Sequence, residues 1–193
     1  MTVKPIYIII AAFVILFIQA LVLWQLGHAV VCPCGYFKFW DNGVRGLQNS
    51  QSLFDWYSFL HVMNGMLLYL AAWLLYKKFG WKLSLLFLVA VLISFGWEIF
   101  ENTHYVIGHY QVHSVSSGYY GDSIINSLMD TVCVALGFGL AAFLPWWASV
   151  GLFVVLTAIT TFILRDNAFL SILVFFLPLK SIINWQATAS IYH

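Results

Sequence analysis

The sequence predicts an all-α fold, a polytopic membrane helix bundle with five transmembrane helices plus a sixth, shorter segment. Three observations carry that prediction. The 193-residue chain is 63% hydrophobic and only 8% charged, whereas a soluble domain carries about 25% charged residues. Apolar runs near the length of about 20 residues that a spanning helix needs recur along it. The linkers "KKFGWK" (77–82) and "PWW" (145–147) are short, so the helices they join are expected to be antiparallel neighbours.

The first run, 5–28, follows Lys4. It is long enough to span and lacks an A-x-A-type cleavage site. "AVVC" at 29–32 approaches a lipoprotein processing signal, but Val31 stands where Gly, Ala or Ser is wanted. The segment reads as a retained first helix. Further spans are expected at 56–76, 83–103, 123–144 and 147–164, with loops at 31–55 and 104–122. The sixth stretch, 168–184, contains Pro178 and Lys180. It either spans with the lysine snorkelling or lies re-entrant or interfacial. No internal repeat or low-complexity tract divides the chain, and residues 1–193 read as one integral membrane domain.

Three cysteines make no disulfide framework. Cys32 and Cys34 flank Pro33, a spacing at which a bridge would be strained, so they are expected to bind a metal or stay reduced. Cys133, in an apolar run, reads as core. The net charge of +1 excludes a nucleic-acid partner, which would require a basic face. Membrane lipids are the partner the composition implies, and it names no protein partner.

Basic residues near the helix ends set the orientation. With the N-terminus cytoplasmic, Lys4, Lys77, Lys78 and Lys82 lie inside, joined by Lys180 if the sixth segment spans. Lys38, Arg45 and Arg165 lie outside. All seven acids, Asp41, Asp55, Glu98, Glu101, Asp122, Asp130 and Asp166, then belong to the outer half. In a bacterial inner membrane that half faces the periplasm.

Spacing groups the polar residues into stripes. Tyr57, His61 and Asn64 share one face of the second span. Glu98 and Glu101 share a face of the third, with His104 one turn further on. Asp122, Asn126 and Asp130 line the fourth. Asp130 falls roughly 12 Å below its helix start, where an unpaired carboxylate costs at least about 2.5–3.5 kcal/mol. The stripes are therefore expected to face one another, with Glu98, Asp130 and His61 meeting directly or through a water or metal.

Blander readings attach to most members. Asp55 and Asp122 suit helix caps. Glu101 and His104 suit headgroup level, and His109 and His113 a surface loop. His61 suits a hydrogen-bonded core position, and Arg165 suits snorkelling or a pair with Asp166. The aromatic pairs Trp56-Tyr57, Tyr119-Tyr120 and Trp146-Trp147 suit an interfacial belt. Glu98 and Asp130 fit none of these, being deep and away from any cap.

One histidine with two or three carboxylates holds a divalent cation when water completes the shell. The candidate metal ligands are His61, Glu98 and Asp130. The candidate catalytic set is Glu98, Asp130, His61, Glu101 and Asp122, and the candidate substrate-binding set is Tyr57, Asn64, Asn102, Asn126 and Arg165. Glu101-x-x-His104 occurs once, whereas di-iron bundles use that motif in pairs. No Gly-x-Ser-x-Gly elbow, His-Glu-x-x-His or P-loop is present.

"CPCGYFKFW" (32–40), "NSQSLFDWYSFLHVMNG" (49–65), "GWEIFEN" (96–102), "YYGDSIINSLMD" (119–130) and "RDN" (165–167) together resemble an uncharacterised family of small bacterial inner-membrane proteins, a domain of unknown function. The resemblance runs from about Cys32 to Trp185. The Asp…His…Gly and Gly-Asp…Asn…Asp…Gly pattern is also loosely similar to VanZ-like membrane proteins. The family resemblance implies a polytopic inner-membrane protein with these motifs as its signature. Asn64 stands where that family usually has a second histidine, and His109 and Gln111 where it tends to have arginines.

The function expected is that of an envelope protein whose outward-facing site works as a metal-assisted hydrolase or transferase on a lipid or envelope substrate. A proton or metal-ion transporter is the alternative, although the inner half carries no matching acids. The third reading is a non-catalytic binding or structural subunit, in which the polar stripes only hold helices together.

Overall fold

The computed structural model describes residues 4–44, 48–116 and 118–188. Its helices are α1 (Pro5–Gln25), α2 (Ser58–Phe79), α3 (Leu83–Glu101), α4 (His104–His113), α5 (Ile124–Phe143), α6 (Trp146–Ile163), α7 (Ala168–Phe176) and α8 (Lys180–Ala187). No strand occurs among the described residues, and the nearest approach is an isolated bridge between Trp40 and Phe54. The five helices α1, α2, α3, α5 and α6 are long and apolar enough to cross a membrane. Large apolar side chains such as Phe13, Phe143 and Phe162 stand exposed on their outer faces, as a surface solvated by lipid requires. The chain is an all-helical membrane protein.

The bundle is organised around α2 and α5, with α3 and α1 on one flank and α6 and α7 on the other. Two glycines let α2 and α5 touch along their backbones. A Cβ on Gly65 would overlap the Val134 carbonyl oxygen, and one on Gly137 would overlap that of Val62. Small residues at such a crossing bring main chains together where lipid supplies no hydrophobic drive. A buried amide secures α1. Gln19 Nε2 donates to the Ser127 carbonyl at 3.0 Å and to Ser127 Oγ at 2.9 Å. Its Oε1 accepts from Thr131 Oγ1 at 2.9 Å.

Two features depart from the sequence reading, and a third decides between alternatives it left open. Segment 104–122, expected as a loop, opens with α4. Asn102 ends α3, and the Thr103 hydroxyl accepts from Val106 N to start the new helix. This break also takes His104 off the Glu98–Glu101 face, and His104 is exposed. Glu101 and His104 therefore sit on different helices and form no Glu-x-x-His pair. The sixth apolar stretch is two short helices, α7 and α8, separated by Leu177–Leu179, with Pro178 at the break. The nine residues of α7 reach about 13 Å, less than half of a hydrocarbon core of about 30 Å. A segment that does not cross leaves Lys180 without a full traverse to the Lys4 side.

The second departure is that Cys32 and Cys34 are joined as a disulfide, rather than metal-bound or reduced. A turn closed by Gly35 N donating to Cys32 O at 3.3 Å brings their Cα atoms to 5.1 Å, within the ordinary reach of a bridge. Cys133 is free and buried. Arg45 lies outside the described residues.

A histidine–carboxylate cluster at one end of the bundle

Three helix ends and a loop meet at the acidic end. The loop after α1 sets the frame by supplying carbonyls to the first turn of α5. Ile124 N donates to Ala29 O at 2.9 Å, and Ile125 N to Val30 O at 3.1 Å. These are N–H groups that a helix start leaves without internal partners. His28 pins the same corner, with Nδ1 3.0 Å from Asp122 O and Nε2 2.9 Å from Asn102 O. Gly121, at φ 96°, lies against the His28 ring, and a Cβ there would collide with it.

Local chemistry then aims each carboxylate. Asp55 precedes α2 and caps it. Its Oδ1 accepts from Tyr57 N at 2.7 Å and Ser58 N at 3.2 Å, and its Oδ2 accepts from Ser50 N at 3.1 Å. Ser58 Oγ returns the bond by accepting from Asp55 N at 3.2 Å, and it donates to Asp130 Oδ1 at 3.3 Å. Burial pushes the Asp55 carboxyl up to about 6, against the lowering effect of its backbone donors and with Asp122 nearby adding to the rise.

Asp122 is not the cap of α5; Ser123 is, accepting from Asn126 N. Asp122 faces inward, with Oδ2 accepting from Asn102 Nδ2 at 2.7 Å and Oδ1 from the Tyr119 hydroxyl at 3.0 Å. Its own N–H donates to Asn102 Oδ1 at 2.7 Å. Burial raises its carboxyl above the ordinary range despite these donors. Tyr119, expected in an interfacial belt, is buried as that donor, and burial together with the Asp122 charge raises its phenol.

The expected meeting of the stripes is present. His61 on α2 lies between Glu98 on α3 and Asp130 on α5, with Nδ1 3.5 Å from Glu98 Oε1 and Nε2 3.7 Å from Asp130 Oδ2. Both separations exceed the usual 2.7–3.2 Å of an N–H···O bond. Glu98 is fully buried. Its Oε2 accepts from Ser127 Oγ at 2.8 Å, while its Oε1 is buried with no hydrogen-bond partner. One ligand atom from each of His61, Glu98 and Asp130 lies within 4.8 Å of the others, and the same holds for Glu98, Glu101 and Asp122.

A cavity of about 510 Å³ opens beside the cluster. Tyr57, His61, Asn64, Glu101, Asp122 and Asp130 line its polar part, and Leu67, Leu68, Ile93 and Val134 its apolar part. Glu98 sits behind this wall. Helices α4 and α7 close the remaining side through His109, Tyr110 and Phe175. His109 Nε2 lies 3.1 Å from Phe175 O, so it is a wall residue rather than part of a surface loop.

The other sequence candidates fall elsewhere. Asn102 is buried and holds Asp122. Asn126 Nδ2 donates to Ser52 O at 2.8 Å, which ties α5 to the loop before α2. Arg165 does not line this cavity; it donates to Trp185 O at 3.2 Å and to Thr188 Oγ1, fastening α8. Gln19, His28, Ser58 and Ser127 escaped the stripe reading. Gln19 did carry a signal, as an amide in the middle of an apolar span.

Fold and site together define a polytopic helical membrane protein with a buried histidine–carboxylate cluster beside a cavity of mixed polarity. The chain belongs to the family described as "Protein of unknown function (DUF2585)", which matches residues 23–188 and so takes in every member of both clusters. It is similar to the UPF0314 protein of Paracoccus denitrificans, 38% identical over 179 residues, covering 92% of this chain and 91% of that protein. It is 41% identical to a UPF0314 protein of Rhizobium meliloti, covering 93% and 90%. Against one of Agrobacterium fabrum it is 40% identical, covering 89% and 86%. No solved structure matches.

Proposed function

We propose that this protein is a bacterial inner-membrane enzyme that uses a divalent cation held by His61, Glu98 and Asp130 to hydrolyse or transfer a group on a lipid or other envelope substrate. The observation that carries the reading is the trio itself. An imidazole lies between two buried carboxylates, one oxygen of which lacks any hydrogen-bond partner, at the wall of a cavity large enough for a substrate headgroup. A bound cation supplies polarisation of the scissile group and a water acidified toward neutral pH. The protein's own part is to hold and orient. His61 would bind through one ring nitrogen, with Glu98 and Asp130 each offering an oxygen within 4.8 Å of it and of one another. Ser58 and Ser127 orient Asp130 and Glu98. A carboxylate oxygen not used as a ligand would be able to take a proton from water and return it to the departing group.

The lining favours an amphiphile. Tyr57 and Asn64 face the headgroup, and Leu67, Leu68, Ile93 and Val134 offer an apolar continuation along α2, α3 and α5. The orientation proposed is N-terminus cytoplasmic, with the acidic end toward the periplasm. It rests on Lys4, Lys77, Lys78 and Lys82, which flank the opposite ends of α1, α2 and α3.

Metal analysis of the purified protein tests the reading. Wild type is expected to carry a stoichiometric divalent ion that His61→Ala and Glu98→Gln lose. Equal and negligible metal in all three would overturn it.

A further inference from the structure

The second carboxylate group has no role in the one-ion site, although it shares a residue with it. Glu101 and Asp122 join Glu98 in a triad whose ligand oxygens lie within 4.8 Å of one another. We infer that Glu98 bridges two divalent cations, one held with His61 and Asp130 and the other with Glu101 and Asp122. This inference rests on the reading of the first triad as a cation site and extends it to a two-cation centre.

Four observations support the pairing. The first is Glu98 itself, fully buried at the junction of the two triads with one oxygen free of any hydrogen bond. A side chain held only by Ser127 on its other oxygen has the spare lone pairs that a bridging carboxylate uses. The second is charge. Glu98, Glu101, Asp122 and Asp130 crowd one corner, and among the described residues their ion pairs are with His61 alone. Among the described residues no Lys or Arg lines the cavity. With Asp55 also close by and Asp166 in the cavity lining, one divalent cation leaves more than half of the carboxylates without a counter-charge where compensation matters most, and a second offsets more of them.

The third observation is rigidity. Asn102 and Tyr119 fix both oxygens of Asp122, and Tyr110 and Trp97 donate to Glu101. Each of these oxygens keeps a further lone pair for an ion. The fourth is donor type. The second triad offers oxygen only, which selects hard ions such as Mg²⁺ or Mn²⁺ over softer ones. Ions sharing a carboxylate stand about 3.5–4 Å apart, so paramagnetic ions placed there are magnetically coupled.

The test uses the full chain purified in detergent, stripped with a chelator and titrated with MnCl₂. Stoichiometry is read by equilibrium dialysis and coupling by electron paramagnetic resonance. Wild type is expected to bind two Mn²⁺ per chain and to give an exchange-coupled spectrum. Glu101→Gln keeps an acceptor for Tyr110 and Trp97, so its fold is retained, and it is expected to bind one Mn²⁺ with an uncoupled spectrum. One ion per chain in wild type and in Glu101→Gln alike would overturn the second site and leave the first standing. Two uncoupled ions in wild type would overturn the shared Glu98. No bound Mn²⁺ in wild type would bring down the two-ion centre and the one-ion site together. The wild-type readings decide whether or not a variant folds.

Discussion

Replacing Gly65 by alanine tests whether the site depends on the closest helix contact in the bundle. The new Cβ would fall well inside the contact distance of the Val134 carbonyl oxygen, where a C···O approach normally stops near 3.3–3.6 Å. Backbone cannot swing aside as a long side chain can, so α2 and α5 must separate by about an ångström. Overpacking of this kind costs about 1–3 kcal/mol. In a chain of this length each kcal/mol lowers the melting temperature by about 2–4 °C, which places the expected fall at about 2–12 °C. Because α2 carries His61 and α5 carries Asp130, the 3.7 Å gap between them is expected to widen by a similar amount, and affinity for the proposed divalent ion to fall with it.

The control is Gly96→Ala on α3, where a Cβ meets nothing within 4 Å. Removing a helix-interior glycine there is expected to be neutral or to stabilise by about 0.5–1 kcal/mol. Thermal unfolding in detergent, followed by circular dichroism, reads both variants. A Gly65→Ala protein that melts with wild type, or a Gly96→Ala protein that falls as far as Gly65→Ala, would refute the reasoning.

Asp55 gives a pH signature. Its carboxyl is held near 6 in the folded protein against 3.8 as the ordinary value, so the folded state binds the proton more tightly. The stabilisation is therefore complete below about pH 4 and is lost as pH rises through 6. It amounts to about 3 kcal/mol at 1.36 kcal/mol per unit. Wild type measured against Asp55→Asn between pH 4 and 7 should show that slope in the difference, and parallel curves would refute it. Gln19→Leu removes three hydrogen bonds between α1 and α5. At about 0.6 kcal/mol each in a bilayer, the expected loss is about 2 kcal/mol with cation stoichiometry unchanged. A loss of the ion instead would show that α1 belongs to the site. Thiol titration of the unfolded, unreduced protein should find Cys133 alone, since Cys32 and Cys34 are joined; three titratable thiols would refute the bridge.

Periodicity and electrostatic cost carried the sequence reading furthest. A carboxylate one or more turns inside an apolar helix must find a partner, and that argument alone brings His61, Glu98 and Asp130 together, as the structure does. The same argument overlooked Ser127 and Ser58, because a hydroxyl is cheap enough in a helix to raise no alarm. Yet these two hydroxyls bond the deep carboxylates. Short-range signals misled where a cap restarted a helix. Thr103 turned the end of α3 into the beginning of α4, and hydropathy could not separate that from a loop. Pro178 did mark the break between α7 and α8, but only packing shows that Phe175 and His109 close the cavity there. Asn102 and Asp122 are 20 residues apart in sequence and exchange two hydrogen bonds in space. A pairing of that range leaves no periodic trace, so the sequence brought the deep carboxylates to His61 but did not show that Asn102 holds Asp122.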